Sequence, residues 1–437
     1  MQASAARRPT LWRQMLMFFS IIGPGIITAN ADNDVGGITT YSLAGANFGY
    51  TMLWLLVPVT LALIVTQEMC ARMAAVTGKG LADLIRENFG VKVTTVVLFL
   101  FVIGDLGNTA AEFAGIASAS PILQTYVPIL SKELLVPFAA IFVFTAVTRG
   151  NYKIIERVFF VFCAVYIAYV IDAFLIKPAP PWGQIVRSTL LPHFNPTSAY
   201  LLTVIAVIGT TISPWMQFYI QSAVVEKGVR IKDYGYSRVD VISGAIITDI
   251  IAFFIVVASA ATIYYTNTHL AHGQKPIVVA DAGDVAQALQ GFGRYASLLF
   301  AIGLLNAAIF TASILPLSTA YYVCEAFGFQ SGVENRFSQA PVFYGFYLGL
   351  IVIGAGFVLI PGAPLLATIF YSQVLNGVLL PVVLVLMLLL INNKRIMGTY
   401  TNGLAFNLIA WATVAIVGLL TVVSTVQQIV HPTGTGA

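Results

Sequence analysis

Charge is what this sequence has least of. Only 9% of its 437 residues are Asp, Glu, Lys or Arg, whereas soluble domains carry about 25%. The chain is 58% apolar, with a mean hydropathy of +0.88. That balance excludes an ordinary soluble domain and predicts an all-α polytopic membrane protein, one integral domain over residues 1–437. Cysteine is equally thin. Cys70, Cys163 and Cys324 are scattered through apolar segments, which excludes a disulfide framework and a thiolate metal site. The four histidines, His193, His269, His272 and His431, all fall between or beyond the apolar runs. No membrane-embedded imidazole is therefore expected as proton relay or ligand. No nucleotide-binding loop, zinc motif or nucleophile elbow is present, so neither an enzyme nor a resident cofactor is expected. The lack of a soluble domain argues against a membrane sensor. The partners implied are the lipid bilayer and a small substrate, with no nucleic acid and no obligate protein partner.

What is present is apolar runs bounded by polar or Pro/Gly turns, and they predict about eleven spans. Their approximate limits are 12–46 (broken), 52–75, 93–119, 134–147, 158–176, 200–225 (interrupted), 241–265, 296–324, 342–360, 366–391 and 404–426. Residues 1–13 are short and basic without a small-residue cleavage site, and are expected to be a retained cytoplasmic tail. Residues 14–176 then form a first repeat, 198–391 a second, and 404–426 an extra helix. With the N-terminus cytoplasmic, 17 of the 22 Lys and Arg residues fall inside and 5 outside, the bias of a cytoplasmic (inner) membrane protein. An odd number of spans leaves the C-terminus outside, and the loop from Asn267 to Arg294 becomes the longest outside connection.

The first span carries an anomaly. Asn30-Ala31-Asp32-Asn33-Asp34-Val35-Gly36-Gly37 places two carboxylates, two amides and a Gly-Gly pair amid lipid-compatible sequence. Ionisable groups at mid-membrane are costly and functional by default. The glycines weaken the helix there, and freed backbone carbonyls join the side chains as cation ligands. The alternative is a polar loop between two short segments. A second interruption lies at the corresponding place in the sixth span, Gly209-Thr210-Thr211-Ile212-Ser213-Pro214-Trp215. There Pro214 removes a donor and frees carbonyls near Thr210. Paired broken helices at equivalent positions of two halves of about five spans are the signature of inverted-repeat secondary transporters.

These residues resemble the Nramp family of divalent metal transporters, from Gly23-Pro24-Gly25 to about Gly398. The strongest stretch is Gln67-Glu68-Met69-Cys70-Ala71-Arg72, continuing through Thr77-Gly78-Lys79-Gly80-Leu81 to Leu84-Ile85-Arg86, which looks like the family's second span and the cytoplasmic loop after it. Ala111-Glu112-Phe113 looks like the acidic motif of the third span. Ser372-Gln373-Val374-Leu375, with Leu380-Pro381 and Met397-Gly398, looks like the tenth. The resemblance implies a LeuT-type fold of 5+5 spans plus one. It also exposes departures. The family's Asp-Pro-Gly-Asn is here Asp34-Val35-Gly36-Gly37, so the carboxylate stays and the amide ligand goes. Its Met-Pro-His is Ser213-Pro214-Trp215, and its third-span Asp falls at Thr109, while Glu112 remains. The chain looks closest to the Nramp-related magnesium transporters.

The expected metal ligands are therefore Asp34, Asp32, Asn33, the carbonyl of Thr210, and Ser213. All offer oxygen, which suits hard ions such as magnesium or manganese. Asp32 could instead face a water-filled vestibule, and Ser213 could bond back to its own helix. Gly37, Gln217, Gln221 and Gln373 are candidate vestibule residues. Asp105 and Glu112, two turns apart on one face, form either an ion pathway or a structural network. Glu68 is expected to pair with Arg72 one turn on. The function predicted is import of magnesium and/or manganese with weak or no proton coupling. The alternatives are a proton-coupled manganese or iron importer and, less favoured by the adjacent carboxylates, an amino-acid symporter.

Overall fold

The computed structural model describes residues 32–149, 163–270, 276–333 and 335–430. The basic tail, the first limb of the first span and the start of the fifth span lie outside the described residues. Within them the chain is helical, and eight helical stretches are long and apolar enough to cross a membrane.

The first described helix, α1 (Val35–Phe48), begins where the sequence puts the polar cluster. Asp34 has extended backbone (φ −72°, ψ −174°) and caps the helix, its side chain accepting from the Gly37 N–H. Helix α2 (Leu53–Thr77) follows after a 3-10 turn. Next is α3 (Leu81–Gln124), which corrects the sequence reading at its start. The stretch Leu81 to Arg86, expected as a loop, is a short helical limb. Leu81, Leu84 and Ile85 recur at helical spacing and are all buried, so one apolar face docks on the core. The limb is bent away from the membrane span at Gly90, whose φ of 79° only glycine adopts readily.

Helices α4 (Lys132–Arg149) and α5 (Ile167–Leu175) complete the described part of the first half. An amphipathic connector that sequence periodicity did not reveal, α6 (Trp182–Leu190), packs on the 3-10 turn before α2 and on α2 itself. The sixth span is broken as expected. Helix α7 (Ser198–Thr211) stops, Ile212 and Ser213 leave helical geometry, and α8 (Pro214–Glu226) starts with proline in its first turn, a position that needs no backbone donor. Helix α9 (Tyr234–Ser259) continues through a π turn at Ala260–Tyr264 to Thr268.

The long connection before Arg294 is also more than a loop. Asp281 and Asp284 form a reciprocal cap on a 3-10 run, Ala282–Tyr295, that buries Ala282, Val285, Ala286, Ala288 and Leu289. Helices α10 (Ala296–Phe327), α11 (Pro341–Leu359), α12 (Leu365–Ile391) and α13 (Leu404–Val430) finish the bundle. At the centre α3 packs along α10, α11 and α12, and α1 lies between α9 and α7. Helix α13 stands at the rim, with Leu404, Leu408 and Leu419 largely exposed, as a lipid-facing helix should be.

One seam draws backbones together. A Cβ at Gly209 of α7 would run into the Gln373 carbonyl and Gly377 of α12, and a Cβ at Gly377 would run into the Ile205 carbonyl. The two helices therefore touch main chain to main chain at the level of the break.

Candidate cation site

The break before α1 buries its three polar side chains. Asp32 and Asn33 are each 1% exposed and Asp34 is 4% exposed. Asp34 Oδ1 accepts from the Gly37 N–H at 2.6 Å. The Asn33 amide donates to Thr248 Oγ1 of α9 at 2.8 Å. Neither oxygen of Asp32 has a hydrogen-bond partner. Across from Asp34 stands Glu112 of α3, fully buried, its carboxyl directed at that of Asp34 and at the Val35 N–H in the first turn of α1. The close packing of α1 on α3 permits this: the Val35 side chain lies in the space a Cβ on Gly115 would occupy.

At the second break Ser213 Oγ donates toward the carbonyls of Gly209 (2.8 Å) and Thr210 (3.1 Å). Its hydroxyl is thus engaged with its own helix, and it also accepts from Asn376 Nδ2 at 3.3 Å. The Thr210 hydroxyl is buried without a partner. Gln217, one turn into α8, donates to the Ser213 carbonyl at 3.4 Å and accepts from the Cys70 thiol at 3.6 Å.

Helix α12 wedges between the breaks. The Gln373 amide fills the space where a Cβ on Gly36 would go. Gln373 Oε1 accepts from Asn376 Nδ2 at 3.0 Å, and Asn376 exchanges two hydrogen bonds with Asn108 of α3, at 2.8 and 3.1 Å. This amide chain joins α1, α3, α7 and α12. Asn108 and Asn376 were not singled out from the sequence; a buried amide within an apolar span was the available signal.

Asp105 and Glu112 divide. Asp105 accepts from Thr319 Oγ1 (2.6 Å) and Tyr322 OH (2.8 Å) of α10, a closed structural network, and only Glu112 faces Asp34. Thr109 bonds back to the Asp105 carbonyl at 2.7 Å. Gln221 lies apart from the breaks, donating to the Lys79 carbonyl at 3.0 Å. Gly37 packs against the turn before it: a Cβ there would strike the Asp32 carbonyl. Trp215 turns away from the breaks into an apolar cluster with Met216, Tyr219, Phe310, Ile314 and Leu315.

The profile of the natural resistance-associated macrophage protein-like (Nramp) family matches residues 25–427. The chain belongs to the Nramp family. A divalent metal cation transporter MntH of Ralstonia nicotianae is 27% identical over 94% of this chain and 90% of its own length. The metal transporter Nramp3 of Arabidopsis thaliana is 26% identical over 94% of this chain and 79% of its own length. Among solved structures, a manganese transporter of Eremococcus coleocola superposes with a TM-score of 0.75 at 20% identity, covering 99% of this chain and 91% of that one. The nucleobase-cation-symport-1 family transporter Mhp1, in a closed conformation, gives a TM-score of 0.58 at 14% identity, covering 92% of each chain. The fold is therefore the LeuT type that the family resemblance implied.

In this Nramp-family chain the second-span motif acts as a structural anchor. Glu68 and Arg72 form the expected ion pair at 3.0 Å. The Tyr234 hydroxyl donates to Glu68, and Arg72 bonds the side chain of Asn402 and the carbonyls of Tyr400 and Thr401. One ion pair thereby ties α2 to the starts of α9 and α13. Among the described residues no three His, Cys, Asp or Glu side chains converge on one point. Amides, carbonyls and water must therefore complete the shell of any cation held there.

Proposed function

We propose that this protein moves a hard divalent cation, magnesium or manganese, inward across the cytoplasmic membrane, with the N-terminus cytoplasmic and the C-terminus outside. The single observation that carries this is the buried Asp34–Glu112 pair at the junction of two broken helices. A buried pair of carboxyls is stabilised by a cation or a proton between them. Asp32 and Asn33 beside them, and the Thr210 carbonyl and Ser213 at the facing break, supply oxygen alone, which suits ions that prefer oxygen and water ligands. The Ser213 hydroxyl can present only its lone pair to such an ion while its proton bonds backward. Proteins similar in sequence include divalent metal cation transporters, which agrees with this reading.

The chain acts as a single transport unit in the bilayer, driven by the metal gradient and the membrane potential. Strict proton coupling has one observation in its favour, since Asp34 and Glu112 could share a proton that a metal displaces. Against it stand the replacement of the family's sixth-span histidine by the inward-packed Trp215 and of its third-span Asp by Thr109. The deciding measurement is uptake into proteoliposomes across magnesium, manganese, calcium and an amino-acid panel. Saturable uptake of magnesium or manganese, and none of amino acids, is expected. Uptake of amino acids without any divalent cation overturns the proposal.

A further inference from the structure

We propose that Asp32 and Asp249 form a second station for a hard divalent cation, beside the Asp34–Glu112 pair; the inference rests on the reading of the chain as a divalent-cation transporter. Two neighbouring residues set the geometry. Asn33, next to Asp32, is bonded at 2.8 Å to Thr248, next to Asp249. That clasp brings the broken turn before α1 against the middle of α9 and sets the two carboxyls near one another.

Both acids are buried, Asp32 to 1% exposure and Asp249 to 5%; neither oxygen of Asp32 has a hydrogen-bond partner, and the group nearest to serving Asp249 is the Thr60 hydroxyl, whose proton goes to the Leu56 carbonyl at 2.7 Å. Among the described residues no ion pair reaches Asp32 or Asp249. Buried carboxyls without a counter-charge are held at high cost unless an ion enters. The groups around them are hydroxyls and amides. Tyr41 faces both acids, and its hydroxyl shares a 2.7 Å bond with Thr211. An all-oxygen setting selects a hard ion. Asp249 acts on Asp32 more strongly than Asp34 does, and among the described residues no three such acids converge on one point. Four carboxylates match the charge of two divalent ions, one per pair.

The test is binding stoichiometry of Mn2+ on the full-length protein in detergent, read by the loss of the free-ion signal in electron paramagnetic resonance. Wild type should bind two ions per chain. Asp249→Asn, and independently Asp32→Asn from the other side of the pair, should bind one, and so should Asp34→Asn. The combination Asp249→Asn with Asp34→Asn should bind none, and Asp249→Glu, which keeps the charge, should bind two. One ion bound by wild type and by Asp249→Asn with the same affinity overturns the station while leaving the transport reading intact. A wild type that binds one ion, with none bound by Asp34→Asn and none by Asp249→Asn, shows one shared site and also overturns it. No Mn2+ bound by wild type, together with no Mg2+ competition, sinks the transport reading itself.

Discussion

Asn33 and Thr248 are joined by a 2.8 Å hydrogen bond between positions 215 residues apart, and this bond fixes the broken turn of α1 to the middle of α9. Removing its acceptor with Thr248→Val should leave the buried Asn33 amide short of a partner, at a cost of about 1 kcal/mol. The loosened turn should raise the KM for uptake more than it lowers the maximal rate. Thermal unfolding in detergent and concentration-dependent uptake measure the two effects. An unchanged KM would show that the clasp does not position the site.

Asp34→Asn should abolish most transport while the protein still folds. Asparagine can cap α1 through the same Gly37 N–H, so the helix start survives, but the negative charge a desolvated cation needs is gone. Expression and gel filtration near wild type, with uptake reduced at least tenfold, are expected. Uptake close to wild type would remove Asp34 from the site.

Selectivity should respond to Ser213. Ser213→Met replaces a hydroxyl by a thioether, a softer ligand, and should shift competition from magnesium toward manganese or cadmium. An obvious companion, Gly37→Asn, is not a clean probe, because its Cβ would meet the Asp32 carbonyl. That variant should lower stability rather than retune the ion. Uptake competition among the three metals decides the first point and thermal unfolding the second.

Acidification should inhibit uptake without accompanying it. Protons and metal compete for the same carboxyls, so protonation at low pH removes the charge that binds the ion. The expected result is falling metal uptake below neutral pH with no metal-dependent acidification of the proteoliposome lumen when the potential is clamped. A pH-sensitive dye inside the vesicles makes the measurement. Lumenal acidification that vanishes in Glu112→Gln would show that protons travel with the metal.

The Glu68–Arg72 anchor should matter for the fold more than for the ion. Glu68→Gln strands Arg72 as a buried charge without its partner, a change that costs about 3 kcal/mol. Lower thermal stability with the same ion preference in surviving protein is expected; altered preference would place the pair in the permeation path.

Much of this was legible in the sequence because lipid makes polar residues conspicuous. Asp34, Glu112 and the Ser213-Pro214 break stand out against apolar runs, and helical spacing foretold the Glu68–Arg72 pair. Side-chain direction was not legible. Whether Ser213 turns to the ion or to its own carbonyls depends on how α7 ends. Asp105 and Glu112 share a helix face, yet Thr319 and Tyr322, more than 200 residues on, claim only the first. Asp249 was hidden for the same reason, since only the approach of α9 to the break reveals its neighbour Asp32. The helical limb after Leu81 was missed because its few turns are too short for periodicity to separate it from a loop.

The glycine seam between α7 and α12 has a mechanical consequence. Where Gly209 and Gly377 meet, no side chains lie between the two backbones to slide or change rotamer. Any rocking motion that opens one face of the bundle must therefore carry the upper limb of the sixth span and α12 as one stiff lever, with Gln373 and Asn376 riding on it. The bending has to occur at the non-helical residues Ile212 and Ser213, so α8 is free to swing while α7 stays with its partner.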